Sequence, residues 1–502
     1  MQENQAVVQG SNRHFRDKAP LKLKQLKDKK LKNILKKSEK SFKNSIKSAE
    51  KNKLLLSHDE SFLQEENFKE KTWKLSQKDL KEFVDLNTRT KSFSLDLDLG
   101  SYRVDYSRTG TTLALGGQKG HLSIIEWKNG KLLSEIFLKE KVRDVKFINS
   151  GLVAVGQEKY TYIYDNQGVE IHQIRDFVDV TRLEFLNWHF LLVGSGNTPF
   201  IKWQDTSTGK IVAEYNTKLG STRSMCQNPW NAVIHLGHNN GNVSMWSPSM
   251  SSPLVKMLCH SGPVQDVKMD LSGNYMATVG LDSQLKIWDV RTFKLLQHYY
   301  MDTPASYIDI SQKGILAVGH GPHVSLYKDI FKEKQSQPYM KHLQSASRVS
   351  DLAFCPWEDI LGLGHSKGFS SLIIPGSGEP NFDTMTANPY QTTKQRQESE
   401  VHALLDKLDP DMITLDPNII GNIDDAPSHV IKQERKAQAQ EKVEEKKKKK
   451  KGKSSALRRY LKKQPNVRDA KRVRFVLLNF RLKKLRQSKR RKRRKLSNPG
   501  KH

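Results

Sequence analysis

Cysteine is nearly absent from this chain: its 502 residues hold three, Cys226, Cys259 and Cys355, with no CxxC pair and no Cys/His cluster. That spacing supports neither a zinc site nor a disulfide framework and predicts reduced, intracellular thiols. Apolar runs near the twenty or so residues of a membrane helix are missing, and the opening MQENQAVVQGSNRHF lacks the apolar core of a secretory signal. There is no P-loop, no GxGxxG opening a helix after a strand and no nucleophile elbow. Carboxylates such as Asp96 and Asp98, or Asp424 and Asp425, fall in strand or loop contexts that solvation explains. The expectation is therefore no enzyme, no catalytic residues, no cofactor or metal, no small-molecule substrate and no membrane partner. Acidic charge is also short, with 54 Asp and Glu against 85 Lys and Arg, a net charge of +31.

That excess is unevenly spread. Residues 1–91 carry 23 basic against 13 acidic side chains, and residues 432–502 carry 31 against 5, whereas 92–431 hold 31 against 36. The middle is faintly acidic and the two extensions hold all the surplus. Extensions of that sign point to a polyanion, nucleic acid before membrane.

The middle is organised around HSGPVQDVKMDLSGNYMATVGLDSQLKIWD, residues 260–289. Val264 to Met269, Tyr275 to Val279 and Gln284 to Trp288 read as short strands, with Ser272-Gly273-Asn274 and Leu281-Asp282-Ser283 supplying the turns. His260, Thr278, Asp282 and Trp288 stand at the spacing of a hydrogen-bonded blade network, and a closing Trp-Asp pair is the mark of a four-stranded propeller blade. Gly280 recurs as Gly116, Gly156, Gly194, Gly237, Gly319 and Gly364, at steps of 40, 38, 43, 43, 39 and 45. An aromatic follows in six units (Trp127, Tyr164, Trp203, Trp246, Trp288 and Tyr327). A period near forty with four short strands per unit predicts an all-β, seven-bladed WD-repeat β-propeller over 92–375, whose closure removes exposed sheet edges. Only the fifth unit keeps the full His/Asp/Trp set; the turn aspartate is replaced by His121, Glu158, Asn197, Asn240 and Gly321 in other blades. Apolar packing is thus expected to hold most of the ring. The alternating SFSLDLDL of 92–99 precedes the first unit and is expected to close the last blade as its outer strand. His238, His320 and His365 each follow a blade glycine, and read either as polar contacts for a ligand on one face or as ordinary turn histidines.

The flanks differ in kind. Within 1–91, Leu21, Leu26, Leu31, Ile34, Leu35, Phe42 and Ile46 stripe a basic amphipathic helix, with shorter helices around Trp73 and Phe83. Residues 376–431 begin turn-rich; Thr393 is the expected N-cap of a helix over 394–408 whose Val401, Leu404, Leu405 and Leu408 form a stripe ending at Asp409-Pro410. An arm of this kind is expected to pack on the ring or a neighbour. The 432–502 tail holds the run Lys446, Lys447, Lys448, Lys449, Lys450 and Lys451, then two arginine-wrapped amphipathic pieces, then Arg490, Arg491, Lys492, Arg493, Arg494 and Lys495. The pieces between offer Arg458, Arg459, Lys462, Lys463, Arg468, Lys471, Arg472, Arg474, Arg481, Lys483, Lys484 and Arg486 for RNA phosphates and unpaired bases. The flanking runs suit a nuclear or nucleolar localisation signal.

The degenerate ring followed by GSGEPNFD, ANPYQTTKQRQESEV, LLDKL and MITLDP closely resembles the nucleolar WD-repeat proteins of the small-subunit processome, the U-three-associated protein seven type, which carry a conserved domain directly after the propeller. The resemblance covers roughly residues 20 to 500. It implies a non-catalytic scaffold for small-subunit ribosomal RNA maturation in the nucleolus, with pre-ribosomal RNA, small nucleolar ribonucleoprotein and other assembly factors as partners. The alternative is a chromatin or histone-binding WD-repeat adaptor.

Overall fold

The repeated apolar runs fold as strands because each alternates or buries both faces between neighbours. The computed structural model of the chain describes residues 29–52, 61–65, 71–382, 387–419 and 477–488. Seven four-stranded antiparallel sheets make seven blades, at 102–137, 144–174, 180–216, 222–258, 264–300, 307–343 and 349–373. The first strand of each blade packs against the first strands of both neighbouring blades, the last against the first, so the ring is closed. The expected seven-bladed propeller is the fold.

The seventh blade takes its fourth strand from far upstream. Ser94–Asp96 pairs antiparallel with Gly368–Ile373, with Ser94 opposite Ser370 and Asp96 opposite Gly368. Both ends of the ring-forming chain therefore share one sheet, and no inner blade is left with an open ladder.

The recurrent glycines lie inside or at the end of the second strands rather than beyond them, and none has a left-handed φ. Their requirement is close approach. A Cβ on Gly116 would strike Val145 in the next blade, and one on Gly364 would strike the Tyr102 carbonyl across the closing junction. These glycines let the blades nest.

The first strands supply a second kind of joint, made of carboxylates. Asp105 accepts the Phe147 amide from the next blade at 2.8 Å, Asp144 the Leu183 amide at 2.8 Å, and Asp266 the Ile308 amide at 3.1 Å. Asp309 accepts from Phe354 at 2.7 Å, and Asp351 reaches across the closing junction to Val104 at 3.0 Å. An innermost strand has one unpaired edge, and its buried N–H groups need acceptors. Five of the seven junctions meet that need with an aspartate clasp. These clasps add to the apolar packing that the sequence leads one to expect as the main bond of the ring.

Two segments strap the ring. On the N-terminal side, Gln77 exchanges both amide bonds with the Ile373 backbone at 2.8 and 2.9 Å, and Leu80 is buried between the sixth and seventh blades. On the C-terminal side the arm after Ile373 runs along one end of the ring. Its Gly378 amide donates to Asp359, Lys407 bonds Asp205 and Ser207 in the third blade, and the Leu408 amide donates to the Trp188 carbonyl. The arm finishes on the fourth blade, where Ser247 donates to the Ile413 carbonyl at 2.6 Å and Ile413 is fully buried beside Trp203 and Trp246.

The arm's helix is Thr393–Leu405, capped by Thr392 rather than Thr393 and shorter than the stripe suggested. It buries no residue: Val401 is 57% and Leu405 76% exposed. The arm packs through its two ends, not through its apolar stripe.

Outside the ring, Lys29–Asn52 is a basic helix, shorter than the stripe from Leu21, which begins outside the described residues. Residues 422–502 form a separate unit, of which 477–488 are helical. No described helix is long and apolar enough to span a membrane.

Candidate functional site

In the fifth blade the structure brings together His260, Thr278, Asp282 and Trp288. The His260 ring sits 3.0 Å from Asp282 through Nδ1 and 2.9 Å from the Thr278 hydroxyl through Nε2, while Trp288 donates to that hydroxyl at 3.0 Å. Burial lowers the His260 pKa, against the pull of Asp282. Gly280 is the residue that admits this chain of bonds, since a Cβ there would lie 2.6 Å from the His260 ring. The network ties a turn to inner strands and leaves no group free for a ligand.

The three turn histidines repeat that chemistry in other blades. His238 bonds Ser244 at 2.6 Å, and Trp246 donates to the same hydroxyl at 2.8 Å, so a third-strand serine there joins a histidine to a tryptophan as the second-strand Thr278 does in the fifth blade. His320 meets Ser325 and His365 meets Ser370, each at 3.0 Å. His238 and His365 are buried. The reading of a ligand-binding histidine ring on one face fails for these two, because both imidazoles are buried and each bonds a serine of its own blade through Nε2. Burial brings His238 down to about 4, with Lys256 adding to the effect.

All three cysteines are free and buried, and burial pushes the thiols of Cys226 and Cys259 up to about 12. Thiols so disfavoured as thiolates are inert packing groups. No cluster of metal-ligating side chains occurs among the described residues.

The ring's central channel has two chemically different ends. The first strands all run the same way, so their first residues gather at one end and their last at the other. Toward the last residues, the cavity wall holds six carboxylates, Asp105, Asp144, Glu184, Asp266, Asp309 and Asp351, with Lys146, Arg182 and Lys268. Most of these charges are paired. Lys146 lies 3.5 Å from Asp105 and 3.3 Å from Glu184, and Lys268 lies 3.3 Å from Asp309. Desolvation works against both ammonium groups, but the neighbouring carboxylates overcome it and raise their pKa values. The C-terminal arm lies at this end, with the Glu379 amide on Gln312.

At the opposite end two adjoining cavities, of about 460 and 360 Å³, are lined by Arg103, Arg143, Arg182, Arg223, Arg348 and Lys141 and by no carboxylate. Sequence reasoning missed this constellation. A signal existed, since five blades place an arginine twelve to sixteen residues before the blade glycine. It was hidden by the near-neutral total for the ring.

The basic extensions are less fully described. Arg481, Lys483, Lys484 and Arg486 stand exposed on the 477–488 helix, with Leu477 and Phe480 partly buried. Arg458, Arg459, Lys462, Lys463, Arg468, Lys471, Arg472 and Arg474 lie outside the described residues, as do both expected localisation runs, 446–451 and 490–495.

Comparison with known proteins adds what geometry cannot. The family model of the BING4CT (NUC141) domain matches residues 338–416. The match thus begins within the ring, takes in the seventh blade and runs through the strapping arm, which is how those pieces pack. U3 small nucleolar RNA-associated protein 7 of Saccharomyces cerevisiae is 42% identical over 480 residues, 90% of this chain and 87% of the yeast protein. WD repeat-containing protein 46 of Homo sapiens is 47% identical over 74% of this chain and 62% of its own length, and that of Caenorhabditis elegans 46% over 73% and 63%.

Proposed function

The chain belongs to the family of U3 small nucleolar RNA-associated protein 7 and WD repeat-containing protein 46, and from that premise we propose that it is a non-catalytic scaffold of the small-subunit processome, required for maturation of small-subunit ribosomal RNA. The observation that carries this reading is the 42% identity to the yeast protein across 90% of the chain, extensions included. The yeast protein's name associates it with U3 small nucleolar RNA. The chemistry here agrees: most charges at the carboxylate end of the channel are paired within the fold, and the surplus cations lie in extensions suited to phosphate.

In this reading, residues 432–502 grip pre-ribosomal RNA or the small nucleolar ribonucleoprotein, with Arg458 to Arg486 on phosphates and bases. Arg490 to Lys495 direct the chain to the nucleolus. The propeller docks other assembly factors, and the arm over 376–431 keeps its exposed apolar helix on the ring's surface for one of them.

Crosslinking in cells followed by RNA sequencing tests it. Enrichment at ribosomal RNA precursor and U3 is the expected result; recovery of nucleosomal DNA with little RNA would overturn it in favour of a chromatin adaptor. Deleting 446–502 should flatten the dependence of RNA affinity on salt concentration, since each lost phosphate contact removes nearly one unit from the log–log slope. An unchanged slope would move RNA binding off the tail.

A further inference from the structure

The arginine end of the channel is larger than the fold requires. Two of its guanidiniums have structural work: Arg103 donates to the Ser350 carbonyl and lies 3.4 Å from Asp351, and Arg182 donates to the Arg223 carbonyl at 3.1 Å. Arg143 is paired with Asp179. Arg223 and Arg348 are different. Both are exposed; the Arg223 guanidinium has no hydrogen-bond or ion-pair partner among the described residues, and that of Arg348 reaches only the Ser306 hydroxyl, at 3.3 Å. Between them Tyr307 sits with Arg103 at 4.8 Å and Arg182 at 5.8 Å from its ring centre. Apart from Lys141, which lies 3.8 Å from Glu158, the remaining lining is neutral, including Asn197, Asn239 and Gln265.

We propose that this end of the channel is a docking site for an acidic peptide, a protein segment whose Asp or Glu side chains are clamped by Arg223 and Arg348 above the Arg103, Tyr307 and Arg182 floor. Two free planar forks match carboxylates in bidentate geometry. The absence of any lining carboxylate gives the site its sign, and the ring's open mouth gives it a shape that admits a chain segment. Nucleic acid fits less well. A nucleic-acid track neutralises a series of phosphates and offers flat aromatic faces for bases, whereas only two cations are uncommitted here. Tyr307 is already engaged by guanidiniums, and Tyr102, the other ring present, is fully buried against His121. The other channel end carries the carboxylates and the arm, so a ligand of this charge enters from the arginine side.

This proposal gives a chemistry to the protein-docking half of the scaffold role and rests on that half only. Tail-led RNA binding can fail without affecting it.

The test uses the full chain and its R223E/R348E variant with two photo-reactive probes: a short glutamate-rich peptide carrying benzoylphenylalanine, and an oligouridine carrying 4-thiouridine, with adducts mapped by mass spectrometry. The peptide should label the strand entrances around 221–223 and 348–350, and the variant should cut that labelling on the order of tenfold, the loss of one good charge-assisted contact. Peptide adducts on the basic extensions should survive the variant, and thiouridine adducts should lie on the extensions in both proteins. R223A/R348A should give an intermediate loss, and unchanged melting of both variants separates lost docking from lost folding. Peptide labelling confined to the extensions, or undiminished at the mouth in the charge-reversed variant, overturns the proposal. So do thiouridine adducts at the mouth that disappear in the variant, which would make the ligand RNA.

Discussion

The two ends of the ring's channel use charge in opposite ways. At one end carboxylates and ammonium groups are buried and mostly paired, and most of the carboxylates also hold a backbone amide of the next blade. At the other, five guanidiniums line open cavities: Arg103 and Arg143 are paired with Asp351 and Asp179, Arg182 is held by a backbone carbonyl, and Arg223 and Arg348 have no ionic partner among the described residues. A charge that is paired, buried and bonded to the backbone is part of the fold. A charge that is exposed and uncommitted is free to meet something else. The same distinction separates the ring from its extensions.

The sharpest way to break the comparison is to remove a committed charge. Asp351→Ala takes away the acceptor of the Val104 amide and the partner of Arg103, leaving a half-buried cation and an unsatisfied donor at the closing junction. Urea unfolding should show a loss of about 3–5 kcal/mol. If Asp351→Ala costs no more than R223E/R348E, the distinction between committed and free charges is wrong.

Acid should act on the buried imidazoles. Burial holds His235 and His238 at about 4, below the 6.5 of an unfolded chain. The unfolded state therefore binds protons first as pH falls, and stability is lost between about pH 6.5 and 4, by up to roughly 3 kcal/mol for each group. Melting curves across that window check it, and His238→Gln should make the slope shallower.

Ile413→Ala acts on the strap, not the channel. It opens a cavity beside Trp203 and Trp246 and should cost about 2–4 kcal/mol locally. Hydrogen exchange should rise across residues 407–415 before it rises in the blades. A uniform rise through the ring would make the arm an integral part of the propeller. The smallest effect is expected of R223E/R348E itself, within about 0.5 kcal/mol of the parent in stability, because neither guanidinium holds the fold together.

Much of this was legible. Seven blades could be counted because the glycine and aromatic period survives the loss of the turn aspartate in most units. The reason became visible only in three dimensions: Gly116 and Gly364 are needed where neighbouring blades nearly touch. The aspartate clasps were not legible. They stand ten to fourteen residues before the blade glycine, because the intervening turns differ in length, and no fixed spacing marks them. The helix of the arm was legible as a helix, but which of the two candidate surfaces its stripe meets was not, since periodicity reports that one face is apolar and not what covers it; the ring leaves it exposed. Likewise a histidine after a blade glycine looks the same in sequence whether it faces solvent or, like His238, bonds Ser244 inside the blade.

What the sequence alone determined is the period, and with it the number of blades, together with the segregation of surplus positive charge into the two extensions; both are properties of order along the chain. Which charges are spent inside the ring and which stay free was decided only by the tertiary structure. Closing the ring brings the entrances of seven distant strands to one rim and their exits to the other, and pairing depends on that distance in space, not on separation in sequence.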